Sequence, residues 1–132
     1  MKMNPVVHFE LPFEDKHRMA DFYSKAFGWK SKMLGSEMGE YVLVTAAEPD
    51  EHGFPKERGR INGGFYEKSD LKPAQYPSIV IAVDDINQAM EKVTTAGGQV
   101  LGEPVEIIGF GMYVSVLDTE GNRVSMMQPF MR

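Results

Sequence analysis

The chain presents the same order of secondary-structure signals twice, and this duplication constrains its fold more than any other feature. An alternating segment with a β-branched start, VVHFEL (6–11), precedes a stretch with apolar residues at helical spacing (15–27). The segment SIVIAV (78–83) precedes a second such stretch, DDINQAMEKVTTAGGQV (84–100). Three strand-like segments follow each helix, at about 29–34, 40–46 and 61–67 in the first half and about 99–106, 110–117 and 122–128 in the second. Each half therefore predicts the order β-α-β-β-β.

Capping and stop residues mark the ends of both predicted helices. Gly28 ends the first helix, and the glycine pair at 97–98 ends the second. Asp84 or Asp85 is expected to cap the second helix. Asp15 and Asp84 stand in matching positions, 69 residues apart, which supports a repeat.

Two short repeats of this kind predict an α+β fold. One helix covers only one side of a sheet, so neither repeat can bury both faces of its sheet alone. We therefore expect two tandem βαβββ modules that form a curved mixed sheet around a concave cleft, with the helices outside. A chain of 132 residues with 42% hydrophobic content favours one domain over 1–132, with modules of about 1–70 and 71–132.

The first strand separates two kinds of side chain. Its alternation places Val7, Phe9 and Leu11 on one face, which is most simply the face toward the helix. His8 and Glu10 then lie on the other face and point into the predicted cleft. An imidazole beside a carboxylate is unusual on a purely structural strand, so this pair is the candidate catalytic site.

Composition excludes several classes of function. A net charge of −5 argues against nucleic acid or an anionic membrane as the main partner. The absence of cysteine excludes disulfides, thiolate nucleophiles and cysteine zinc sites. No apolar run approaches the roughly 20 residues that span a bilayer, and the N-terminus lacks the apolar region of a secretory signal. We expect a soluble, cytoplasmic protein.

Three stretches resemble the vicinal oxygen chelate superfamily of glyoxalases, bleomycin-resistance proteins and extradiol dioxygenases. They are FYSKAFGW (22–29), VDDINQAMEKVTTAGGQV (83–100) and LDTEGNRVSMMQP (117–129). VVHFEL and INGGFYEK look especially like a glyoxalase-related subgroup without an agreed reaction. The resemblance covers nearly the whole chain and implies a homodimer with a small-molecule ligand.

The resemblance also implies four positions for ligands to a divalent metal in the metal-using members. The first-strand position falls on His8, and the fourth-strand position falls within NGGF, where Asn62 is the only polar candidate. The other two fall on Ser78 and Ser125, where the family commonly has histidine and glutamate. Serine is a poor ligand because it keeps its proton, and Glu10 beside His8 would add only a second ligand. We therefore expect no cofactor and disfavour metal-dependent glyoxalase or dioxygenase chemistry, which leaves open only a weakly bound divalent metal at His8.

Other candidates come from the strands predicted to line the cleft. The glycine pair at 63–64 indicates close packing or room for a ligand. Four aromatic residues belong to the core or to the pocket wall: Tyr41, Tyr66, Phe110 and Tyr113. The methionines Met112, Met126 and Met127 are more often core filler than part of a cofactor site. The predicted ligand-binding residues are Asn62, Gly64, Tyr66, Ser78, Tyr113, Ser125 and Met127.

Three hypotheses about function follow. The first is a metal-independent lyase or isomerase in which Glu10 is the general base and His8 is an acid or an orienting donor. The second is a protein that sequesters a small molecule without catalysis, as the bleomycin-resistance relatives do. The third is an interaction domain with a vestigial pocket.

Overall fold

The structure is a computed structural model that describes residues 2–70 and 72–130. Within these ranges the chain forms eight β-strands and two α-helices in the predicted order, which confirms the α+β class and the two βαβββ repeats. The predicted module boundary falls at residues 70 and 71, and the second of these lies outside the described residues. The elements are β1 (Val6–Phe13), α1 (Lys16–Phe27), β2 (Lys30–Met33), β3 (Val42–Thr45), β4 (Asn62–Glu67), β5 (Ser78–Ala82), α2 (Ile86–Thr95), β6 (Gln99–Ile107), β7 (Gly111–Leu117) and β8 (Arg123–Pro129).

The chain divides into two compact units with the same topology. The first unit comprises residues 8–77, and the second comprises residues 78–130 together with 2–7. In the first unit the strand order is β2-β3-β4-β1, with β1 parallel to β4 and the other pairs antiparallel. In the second unit the order is β5-β8-β7-β6, with β5 parallel to β8 and the other pairs antiparallel. The repeat seen in the sequence is therefore a repeat of sheet topology.

An aspartate caps the start of each helix. The side chains of Asp15 and Asp85 accept hydrogen bonds from the backbone N–H three residues on, at 3.0 and 3.1 Å. The matching pair is thus Asp15 and Asp85, 70 residues apart, and the predicted match with Asp84 is wrong. The reason is local, because Asp85 has the extended backbone of a cap and Asp84 instead binds Lys2.

The helix ends differ slightly from each other. Gly28 adopts a left-handed backbone (φ 76°) directly after α1, as predicted. The second helix ends at Thr95, and Ala96 is its C-cap. The left-handed residue Gly97 (φ 101°) then turns the chain toward β6.

Each unit buries one sheet face beneath its helix. In the first unit Phe9 and Leu11 of β1 pack against a buried cluster that includes Phe13 and, on α1, Ala20. Val7, which belongs to the second unit, is 37% exposed. Since side chains alternate along a strand, the even-numbered residues of β1 lie on the face away from α1. The second unit has an equivalent core between α2 and its sheet, built from Val83, Ile86, Ala89, Val114, Val116 and Met126.

Candidate functional site

A partly buried hydrogen-bonded group of three residues occupies the face of the first unit away from α1. The hydroxyl of Tyr41 donates to Oε2 of Glu10 at 2.8 Å and lies 3.3 Å from Nε2 of His8. Glu10 is only 4% exposed, although it is ionisable. We refer to His8, Tyr41 and Glu10 as the Tyr41 group.

The register of the sheet brings Tyr41 to the other two residues. Glu10 pairs with Gly64 of β4, and Gly64 pairs in turn with Leu43 of β3. Tyr41 lies two residues before Leu43 and directs its ring across Gly64. A Cβ atom on Gly64 would lie 1.9 Å from the Tyr41 hydroxyl oxygen, so the ring occupies space that any other residue would fill.

The second glycine of the pair has the same role on the opposite face. A Cβ atom on Gly63 would lie 2.4 Å from a ring carbon of Phe9. Each glycine of the pair therefore admits one aromatic ring, one on each face of β4. The sequence left two explanations for this glycine pair, close packing or room for a ligand. Close packing accounts for both glycines.

Burial changes the acid–base behaviour of His8. It lowers the pKa of this imidazole from 6.5 to about 4, because the charged form loses contact with water. His8 is therefore neutral near pH 7. A neutral imidazole carries one N–H donor and one acceptor nitrogen, and it is a poor proton donor to a substrate.

Two other predicted site residues of the first unit bind the chain itself. The amide oxygen of Asn62 accepts hydrogen bonds from the backbone N–H groups of Ala46 and Ala47, both at 2.8 Å, and so fixes the turn after β3. The hydroxyl of Tyr66 donates to the backbone carbonyl of Tyr76. Neither residue belongs to the Tyr41 group.

The second unit has a hydroxyl cluster on the face away from α2. Ser125 is fully buried, and its hydroxyl lies 2.7 Å from that of Tyr113 and 2.9 Å from that of Ser115. The guanidinium of Arg123 donates to Ser115 at 3.4 Å, and the hydroxyl of Ser78 donates to the backbone carbonyl of Arg123 at 3.0 Å. We refer to Tyr113, Ser115, Ser125 and Arg123 as the hydroxyl cluster.

The predicted residue Met127 lies beside this cluster. It pairs with Tyr113 of β7 and Ala82 of β5, and it follows Ser125 by two residues, which places both on one face. Sequence reasoning missed Ser115 in this unit and left Tyr41 of the first unit between core and pocket wall. Ser115 pairs directly with Ser125, but only the β7–β8 register reveals that contact.

The residues at the four implied metal positions do not fit a divalent metal. Asn62 offers an oxygen that already accepts two backbone N–H groups, and Ser78 and Ser125 are hydroxyls engaged within the chain. His8 directs Nε2 to a phenol. Among the described residues, no group of three or more His, Cys, Asp or Glu side chains is placed to hold a metal ion.

Comparison with known proteins agrees with this topology. Residues 6–126 match the Glyoxalase/Bleomycin resistance protein/Dioxygenase superfamily. The chain belongs to this superfamily. A glyoxylase-like domain-containing protein from Didymella fabae is 31% identical over 123 residues, which is 86% of this chain and 84% of that protein.

Two further similarities are to a Streptomyces biosynthesis protein and to a solved epimerase structure. The anthracycline biosynthesis protein DnrV of Streptomyces peucetius is 27% identical over 119 residues, covering 86% of this chain but only 42% of DnrV. A variant of Streptomyces coelicolor methylmalonyl-CoA epimerase, solved with 2-nitronate-propionyl-CoA, aligns with a TM-score of 0.69 at 14% identity over 98% of this chain and 97% of that chain. The second likeness shows the shared fold. Neither helix in the described part of this chain is long and apolar enough to cross a membrane.

Proposed function

We propose that the protein binds a small organic molecule at the Tyr41 group and moves a proton on it, as a metal-independent lyase or isomerase. The observation that carries the proposal is the buried carboxylate of Glu10 on the sheet face away from the helix. Placing a carboxylate out of water is costly, and hydrogen bonding offsets that cost only in part. The cost is expected at a site where a base is used.

Glu10 is the general base in this proposal. A carbonyl group acidifies the neighbouring C–H bond, so the carboxylate takes that proton while the C–H electron pair moves into the enolate. Return of a proton to the opposite face of the same carbon completes an isomerisation, and no redox partner is required. His8, being neutral, acts as an orienting group rather than as the acid.

The second candidate is a protein that sequesters its ligand without turnover. The low pKa of His8 favours it, because this group then lacks a second residue that exchanges protons near pH 7. The two candidates share the binding site and differ only in whether a C–H bond breaks.

Isotope exchange separates the two candidates. Methylmalonyl-CoA and dihydroxyacetone, each with a C–H bond next to a carbonyl, are incubated with the protein in D2O, and loss of the C–H signal is followed by proton NMR. We expect exchange above the protein-free rate that falls at least about 100-fold in Glu10→Gln. The matched control is Glu67→Gln, which changes an exposed glutamate of the same unit. Exchange that is equal in wild type and Glu10→Gln would refute the assignment of the base, and binding without exchange would favour sequestration.

The hydroxyl cluster is the proposed binding site of the second unit. Hydroxyl groups beside a guanidinium suit a carbonyl, hydroxyl or other oxygen atom of a ligand. The resemblance to the superfamily further supports a homodimer, and we propose that it acts in the cytoplasm. Sedimentation velocity at working concentration should give the mass of two chains, and the mass of one chain would contradict the dimer.

A further inference from the structure

The hydrogen bonds of the Tyr41 group have a definite direction. The Tyr41 hydroxyl uses its one O–H to donate a hydrogen bond to Oε2 of Glu10. The hydroxyl oxygen can then interact with His8 only as an acceptor. Nε2 of His8 must therefore carry the proton, and Nδ1 must be the acceptor nitrogen of the neutral ring.

The loop before β3 is built to hold Tyr41 in this place. Glu40 is the only non-glycine residue with positive φ (62°) among the described residues, a conformation that is unfavourable for a glutamate. Its carboxylate is paired with the ammonium of Lys16 at the start of α1. The carbonyl of Tyr41 accepts a hydrogen bond from the N–H of Leu34 at 2.9 Å, which closes the loop. An unfavourable backbone conformation next to Tyr41, in a residue that is also tied to α1 by an ion pair, supports a role for the position of this ring.

We propose that Tyr41 is a positioning residue that fixes His8 as an Nε2–H donor and so makes the Tyr41 group a hydrogen-bond acceptor toward its ligand. The geometry that carries this is the ring of Tyr41 crossing Gly64 to reach both partners. The unprotonated Nδ1 of His8 and the carboxylate of Glu10 are the acceptor atoms of the group. The ligand that suits such a group presents an O–H or N–H donor, such as an enol, a phenol or an amine. This inference rests on the proposed binding at the Tyr41 group, but its first test requires no ligand.

The first test is NMR of the imidazole nitrogens at pH 7. Long-range correlation between ring protons and 15N in the labelled full-length protein distinguishes a protonated from an unprotonated ring nitrogen. Wild type should show a protonated Nε2 and an unprotonated Nδ1 at His8. Tyr41→Phe removes both hydrogen bonds, so both tautomers should be populated.

Gly64→Ala is the second variant, because its Cβ atom displaces the ring and leaves the phenol chemically intact. It should give the same spectrum as Tyr41→Phe, and Tyr76→Phe, at an exposed tyrosine of the same unit, should match wild type. A protonated Nδ1 in wild type, or an unchanged His8 in Tyr41→Phe, would overturn the proposal. Tyr41→Phe decides the matter alone if Gly64→Ala does not fold.

The second test concerns the class of ligand. 2-Naphthol and 2-methoxynaphthalene have the same rings and differ in one donor, and their affinities are read from the backbone amide shifts of residues 8–10. 2-Naphthol should bind at least about tenfold more tightly to wild type, and Tyr41→Phe should reduce this preference. Equal affinity, or shifts from neither compound, would overturn the ligand class. If no isotope exchange is observed while His8 has the expected tautomer, the positioning role of Tyr41 is retained. Only the proposed catalysis by Glu10 is then refuted.

Discussion

The two units share one backbone plan but place different chemistry at the same buried position. Glu10 lies five residues before the cap Asp15, and Val80 lies five residues before the cap Asp85, so the two strand positions correspond at an offset of 70. Val80 is fully buried, whereas its counterpart Glu10 is 4% exposed and ionisable. The second unit therefore shows that this topology accommodates an apolar side chain at the position. We expect that the carboxylate of the first unit is not required for folding.

The strand partners of Glu10 and Val80 also differ in their chemistry. Glu10 pairs with Gly64, which leaves room for an incoming phenol, whereas Val80 pairs with Ser125, whose hydroxyl joins the hydroxyl cluster. The charged group of the first unit is an acceptor, and that of the second, the guanidinium of Arg123, is a donor. A duplicated topology thus preserves positions while the side chains specialise.

The largest expected effect comes from replacing Glu10 by valine, which is the residue at the corresponding position of the second unit. Glu10→Val should abolish C–H exchange, with a loss of at least about 100-fold, because the general base is removed. Its free energy of unfolding should stay within about 1 kcal/mol of wild type, since a valine at this position buries no charge. Urea unfolding and the D2O assay measure the two quantities. Glu67→Val serves as the control and should retain C–H exchange. Retention of exchange in Glu10→Val would contradict the role of Glu10 as the base.

The reciprocal substitution, a glutamate in the second unit, should lower the free energy of unfolding. Val80→Glu places a carboxylate at a fully buried site where the fold supplies no tyrosine across a glycine. We expect a loss of about 4 kcal/mol in the free energy of unfolding, since burying a charge is costly and the neighbouring Ser125 hydroxyl is already engaged with Tyr113 and Ser115. Val80→Ile is the control for altered volume. A loss below about 1 kcal/mol would show that both units tolerate the carboxylate equally.

A smaller effect on the free energy of unfolding is expected from pH, because only the first unit has an imidazole on the sheet face away from its helix. Burial lowers the pKa of His8 from 6.5 to about 4, so the unfolded chain binds a proton between these values while the folded chain does not. The free energy of unfolding should fall as pH drops from about 6.5 to about 4, and His8 should account for roughly 3 kcal/mol of that fall. Below about pH 4 His8 should cause no further loss. His8→Ser, which introduces the residue of the corresponding position Ser78, should remove this component in urea unfolding at several pH values. Parallel pH profiles for variant and wild type would contradict the assignment.

The smallest effect tests what the units have in common. Asp15→Ala and Asp85→Ala each remove one N-cap hydrogen bond and should each cost about 1 kcal/mol. Asp84→Ala should cost less, because Asp84 makes an exposed ion pair instead. Thermal or urea unfolding of the three variants provides the comparison. Equal losses at Asp84 and Asp85 would contradict the assigned cap.

The sequence predicted the elements well because their signals are local. Alternation in β1 separated His8 and Glu10 from the residues that pack under α1, and Gly28 marked the end of that helix. Two adjacent aspartates carry the same local signal, so the choice between Asp84 and Asp85 needed backbone geometry.

The site was less predictable because its contacts are set by strand register. Tyr41 meets Glu10 only through the pairing of β3 with β4 and of β4 with β1, which no local pattern encodes. Asn62 has the residue type of a ligand-binding side chain, but the turn after β3 lies close enough to use its oxygen.

The space above Gly64, which the Tyr41 ring fills, links two distant places in the chain. A relative that gains any side chain at this position must shorten the aromatic residue at the position of Tyr41, and a relative that keeps the tyrosine must keep the glycine. The two positions are therefore expected to vary together during divergence. Within the superfamily, glycine at one position with tyrosine at the other becomes a sequence criterion for finding chains that share this arrangement around the Glu10 position.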